Sequence, residues 1–206
     1  MKKIKDKLIT IYPQLIFLIV TFCIFMPSSL FLGNIDQFAV GFAALIPLLM
    51  AASLITAAVV ILIGLIVPKK ICNIYAAVIF GGALAAYVQG NFLNPDFGVL
   101  NGRQIQWSQF KVNGIISTVV WIVLIVVPPV IVCFKKDIMT NIIKWGSLFL
   151  SSIQVVTLVV LIVSSKRSVD YSYVVTKNDE FALSSQGNVV VFIVDTLDNE
   201  DAQNYV

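Results

Sequence analysis

The sequence predicts an α-helical polytopic membrane protein: five transmembrane helices, followed by the truncated start, one strand long, of an extracellular α/β domain. Composition is the first reason. The chain of 206 residues is 59% hydrophobic and only 12% charged, with a mean hydropathy of +0.95, whereas soluble domains carry roughly 25% charged residues. The spacing of charges is the second. Stretches without Asp, Glu, Lys or Arg run from Leu8 to Ile35, Gln37 to Pro68, Ile71 to Pro95, Val112 to Phe134 and Trp145 to Ser165. Each exceeds the ~18 residues that a helix needs to cross a bilayer, and an ionisable group inside hydrocarbon costs at least about 2.5 kcal/mol. The third is an abrupt change after Ser165, where seven of the eleven acidic residues fall in the last forty-one positions.

The first span is expected over about 8–32. Pro13 lies near its start, where a missing amide costs least, and Pro27 near its end. The opening MKKIKDK before an apolar run is also how a secretory signal peptide begins. The run from Leu8 to Leu32 is longer than a cleavable core and lacks a small-x-small site, so it is read as a retained anchor. Residues 33–37 form a tight turn. The second span, about 38–67, is longer than a crossing requires and is expected to tilt or to kink at Pro47. Pro68, Lys69 and Lys70 end it.

The third span covers about 71–89. Gly82, Ala86 and Gly90 repeat every four residues, a spacing that lets neighbouring helices approach closely. The segment from Asn91 to Asn113 is the longest connection between spans, and its aromatics Phe92, Phe97, Trp107 and Phe110 suit the headgroup level. Contact with a substrate is the alternative use of that loop. The fourth span is expected over about 114–134, with Pro128 and Pro129 near its end, and the fifth over about 141–163. Gln154 lies mid-span in the fifth, where an interhelical hydrogen bond is the economical role for an amide. No span carries a charge at its middle, so ion-coupled transport lacks its usual signature.

Lysine and arginine placement gives the orientation, because cationic loops are retained in the cytoplasm. With the N-terminus inside, nine cations lie on the cytoplasmic side: Lys2, Lys3, Lys5, Lys7, Lys69, Lys70, Lys135, Lys136 and Lys144. The other five, Arg103, Lys111, Lys166, Arg167 and Lys177, fall in the longer loop and the tail. The expected placement is a plasma membrane, with a cytoplasmic N-terminus and an extracellular C-terminus. The bilayer is the main partner, and no basic patch of the nucleic-acid-binding kind is present. Cys23, Cys72 and Cys133 lie in apolar stretches at no metal-ligand spacing and read as small packing residues. The chain has no His, which removes the commonest metal ligand and neutral-pH acid or base.

Beyond the membrane region of residues 1–165, residues 166–187 read as an extracellular linker and residues 188–206 as the first strand and turn of an incomplete domain. Val189 to Val194 is an unbroken apolar run between Asn188 and Asp195, as in a parallel-sheet strand covered on both faces. Strand, polar turn and helix start meet at Asp195, Thr196 and Asp198, with Glu200 and Asp201 suited to a helix's first turn. Ligands of open α/β sheets bind at that junction. On spacing alone, a ligand-binding residue and a plain turn residue both fit Asp195.

The segment NVVVFIVDTLD, Asn188 to Asp198, resembles the opening of the sulfatase-like members of the alkaline phosphatase superfamily. Five spans, a linker and an extracellular domain together resemble the membrane-anchored branch that includes lipoteichoic acid synthases. QGNFL (Gln89 to Leu93) and VLNGRQIQW (Val99 to Trp107) are similar to the external loop of bacterial membrane proteins carrying this domain. The resemblance implies that Asp195 is a ligand of a divalent cation, Mn, Mg or Ca, held by hard oxygen donors. Thr196 stands where some sulfatases carry a second acidic ligand. The nucleophile of the family comes well downstream, and no position here matches it, so it is expected beyond Val206. The implied chemistry is attack of an activated hydroxyl on a phosphate or sulfate ester of a lipid-linked or polymeric envelope substrate. The chain taken by itself is expected to be catalytically silent and to be the front of a longer protein. The alternative reading is a non-enzymatic membrane partner or a small transporter subunit.

Overall fold

A computed structural model of the chain describes residues 2–35, 38, 40–95 and 107–165, all within one compact unit. Five helical segments of this unit are long and apolar enough to cross a membrane: Ile4–Gly33, Phe42–Ile66, Lys69–Phe92, Trp107–Phe134 and Lys136–Ser164. The chain is therefore built as a multi-pass membrane protein. The expected linker 166–187 and strand 188–194 lie outside the described residues.

The first span has three parts. Helix α1 (Lys2–Leu18) passes into a π-helical segment, Ile19–Phe25, and then into α2 (Met26–Gly33). Pro13 is thus inside α1 and not at its start, because the lysine-rich opening is helical as well. The π segment widens the backbone, and the Met26 amide donates to the Thr21 carbonyl five residues back. Its inward residues are Thr21, Cys23 and Phe25. Pro27 falls in the first turn of α2, which continues from the π segment without a break, so its missing N–H removes one donor from the continuous helix.

The second span differs from expectation in the same way. A 3₁₀ turn, Phe42–Leu45, leads into α3 (Ile46–Ile66). Pro47 therefore starts this helix and does not kink it, since proline's fixed φ is already helical and its absent N–H is one of the first-turn orphans. Helix α4 (Cys72–Phe92) runs three residues past the expected end. After a 3₁₀ turn at Trp107–Phe110, α5 spans Lys111–Phe134 with Pro128 and Pro129 inside it. Helix α6 (Lys136–Ser164) begins five residues earlier than expected, separated from α5 by Lys135 alone. Charge marks where a helix leaves hydrocarbon and not where it ends, and Asp137 in the first turn of α6 complements the helix dipole.

The spans are not equivalent. In their most apolar windows, the first and third are 44% and 50% buried, against 11%, 11% and 17% for the second, fourth and fifth. The first and third form the core, and the other three present Leu, Ile and Val outward, as lipid contact demands. Phe17, Ala77, Phe80, Ala83, Val132 and Ile143 make one buried cluster, with the Phe17 and Phe80 rings 5.8 Å apart. Ile11, Leu15, Val60, Cys72 and Ile79 make another, and the Tyr75 hydroxyl ties α4 to α3 by donating to the Val60 carbonyl at 2.9 Å.

Close helix approach on α4 occurs one residue away from the expected register. A methyl at Gly82 would meet nothing within 4 Å, whereas one at Gly81 would collide with the Leu124 carbonyl oxygen and lie 3.0 Å from Ile125 Cα. Ala77 and Ala85, four residues either side of Gly81, are fully buried. Ala86 is buried as expected, and Gly90 faces Met26 Cε. One residue is a ~100° rotation of the helix face, so both registers exist and α5 uses the Gly81 one. Of the cysteines, Cys23 and Cys72 are buried and Cys133 is exposed, which corrects its reading as a packing residue.

Candidate functional site

The residue singled out for chemistry, Asp195, lies outside the described residues, as does Thr196. Among the described residues no group of three or more His, Cys, Asp or Glu side chains could hold a metal ion.

What the bundle does bring together is a polar seam between the first and fifth spans. Gln14, Thr21 and Ser28 are fully buried and seven residues apart, and Ser147, Ser151 and Gln154 are buried on α6. Gln154 takes the interhelical role expected of it. Its Nε2 donates to Thr21 Oγ1 at 3.0 Å, and that hydroxyl donates to Gln154 Oε1 at 3.1 Å. Ser147 and Ser151 donate to the carbonyls of Ile143 and Ser147, each at 2.7 Å. The Gln14 amide, oriented so that its nitrogen faces the preceding turn, donates to the carbonyls of Thr10 and Ile11 at 2.7 and 3.2 Å. Ser28 Oγ has no partner among the described residues. The seam is mostly self-satisfied and therefore structural. The seven-residue spacing of Gln14, Thr21 and Ser28 was a signal available in the sequence, because the positions three and four residues after each are apolar: Phe17 and Leu18, Ile24 and Phe25, Phe31 and Leu32.

A pocket opens at the end of the bundle opposite Lys7, Lys69, Lys70 and Lys136, where α6 finishes. It has a volume of about 660 Å³, and its polar lining is Ser29, Asn34, Asn91, Asn94 and Thr157, around apolar Met26 and Leu161. Local helix endings place the amides. Asn34, Asn91 and Asn94 each donate to the carbonyl four residues back, those of Leu30, Tyr87 and Gly90, at 2.9, 2.7 and 3.2 Å. One N–H of each amide is thereby used, and the side-chain oxygens of Asn34 and Asn91 accept no bond among the described residues. Ser29 donates to the Met26 carbonyl at 3.0 Å. The pocket carries no charged side chain and offers acceptor oxygens beside an apolar wall, an arrangement that suits hydroxyl-bearing ligands with a hydrocarbon portion.

Gln89, from the QGNFL segment, stands behind this rim. It accepts from Trp121 Nε1 at 3.1 Å, which joins α4 to α5, and its own nitrogen lies 3.3 Å from the Leu93 carbonyl and 3.4 Å from Asn94 Oδ1. At the same end, Ser165 Oγ donates to the Leu32 carbonyl at 3.4 Å. Phe92 and Trp107 are exposed there, as headgroup-level aromatics are. Phe97 and Arg103 lie outside the described residues.

No protein-family model, curated protein or solved structure matches the chain.

Proposed function

We propose that the chain is the membrane region and first catalytic strand of a sulfatase-like phosphotransferase or hydrolase that acts on cell-envelope polymers or lipids. The reading places the N-terminus in the cytoplasm and the tail outside a plasma membrane. Asp195 then serves as the first ligand of a divalent cation. What carries it is the sequence NVVVFIVDTLD following five apolar spans, with nine of the fourteen cations on the segments that the reading puts in the cytoplasm.

Two features of the bundle support it. The uncharged pocket of Asn34, Asn91 and Asn94 lies at the end of the bundle where α6 finishes, which the proposed orientation makes the outer-leaflet side, and its acceptor oxygens suit the glycerol or sugar hydroxyls of a lipid-linked substrate. Gln154, the amide that a transporter would need for its path, is spent on Thr21, which favours an anchoring and positioning role over transport.

The test starts with the intact mass of the native product and continues with membranes that carry it. Expected are a mass well above 22.6 kDa and divalent-cation-dependent hydrolysis of an aryl phosphate or sulfate, abolished by a chelator and by Asp195→Ala. A native product of 22.6 kDa without hydrolysis overturns the enzyme reading and leaves the non-catalytic membrane partner.

A further inference from the structure

At the lysine-bearing end, residues from three parts of the chain enclose a second pocket of about 420 Å³. Asp6 and Lys7 come from α1, Lys69 and Lys70 from the 3₁₀ turn Lys69–Ile71 that precedes α4, Asn73 from the first turn of α4, and Lys136 from the start of α6. Four ammonium groups therefore face one carboxylate. Asp6 pairs with Lys69 at 2.7 Å. The Lys7 ammonium donates to the carbonyls of Leu65 and Val67 at 2.8 and 2.6 Å, at the end of α3. Those two cations are fixed by protein groups, while Lys70 and Lys136 make no ion pair or hydrogen bond among the described residues. Topology explains lysines on this side of the membrane, but it depends on their number and not on their convergence. Asp6 neutralises one of the four lysines, and the repulsion among the remaining three is relieved when a further anion joins them.

The depth of the pocket narrows the choice of anion. The charge-free stretches begin at Leu8 and Ile71, beside the lining residues. Lys136 follows Phe134, the last residue of the fourth charge-free stretch, by two residues. The cavity is thus at headgroup level, just outside hydrocarbon, and basic pockets between transmembrane helices at that level take anionic headgroups.

We propose that this pocket holds the phosphate of an anionic phospholipid, with Lys70 and Lys136 as the cations it neutralises and Lys7 and Lys69 as a fixed frame. In the orientation proposed above, the lipid comes from the cytoplasmic leaflet. The site is at the opposite end from the asparagine pocket and does not depend on the enzyme reading.

The test uses the full chain in nanodiscs of mixed phosphatidylglycerol and phosphatidylcholine, followed by native mass spectrometry of the released protein. The wild type is expected to retain phosphatidylglycerol in preference to phosphatidylcholine. Lys70→Gln and Lys136→Gln are each expected to lower retention about five-fold. The decisive variant combines Lys136→Gln with Asn141→Lys, which keeps the charge count and moves one cation out of the cavity. Loss of retention in that variant, with helix content and monodispersity unchanged, supports a built site. Equal retention by variant and wild type shows attraction by net charge alone and overturns the proposal. Absence of any lipid preference overturns it too, and binding of inorganic phosphate without phosphatidylglycerol transfers the pocket to a soluble phosphate ligand.

Discussion

Gln154 and Thr21, 133 residues apart, exchange two hydrogen bonds in the middle of the bundle, where neither side chain touches solvent or lipid. The pair joins the π-helical part of the first span to the fifth. Removing one member leaves the other's polar group without its partner, so the single variants Thr21→Val and Gln154→Leu each destabilise the bundle. A double-mutant cycle in mixed micelles is expected to show a coupling of about 0.6 kcal/mol, and up to about 1.7 kcal/mol, favouring the pair. Additive single effects would mean that the two residues act independently.

Gly81 and Gly82 form an internal control for helix packing. A methyl at position 81 runs into the backbone of α5 at Leu124 and Ile125, which cannot rotate away as a side chain can. Gly81→Ala is expected to cost about 1–3 kcal/mol. Gly82→Ala enters open space and is expected to change stability by less than about 0.5 kcal/mol. Thermal unfolding of the two variants side by side checks the register of α4 against α5, and a reversed order refutes it.

Ser28 is a buried hydroxyl without a partner among the described residues. A buried, unsatisfied polar group costs about 1–3 kcal/mol, and alanine keeps the small volume while removing that cost. Ser28→Ala is expected to raise the unfolding midpoint. A lowered midpoint would show that the hydroxyl is hydrogen-bonded after all.

The orientation is checked by cysteine labelling. In a Cys133→Ser background, Asn94→Cys is expected to react with an impermeant maleimide added to intact cells, because Asn94 is exposed at the end opposite Lys69 and Lys135. Lys135→Cys, exposed between α5 and α6, is expected to react only after permeabilisation. The opposite pattern inverts the topology and moves the lysine pocket to the outer leaflet.

The sequence by itself determined that five segments leave water, because transfer into hydrocarbon is a property of each residue alone and a single Lys or Asp is enough to mark a boundary. It also showed that Gln154 needs an interhelical partner. The choice of Thr21 as that partner, the use of Gly81 in place of Gly82, and the division into two core and three lipid-facing spans were decided by tertiary structure. Lipid is as apolar as leucine, so hydrophobicity cannot say which face of a membrane helix turns inward. Only contacts between helices decide that, through close backbone approach and paired polar groups. The same holds for the lysines, which the sequence assigned to one side of the membrane and which only the packing of α1, α4 and α6 gathered around one cavity.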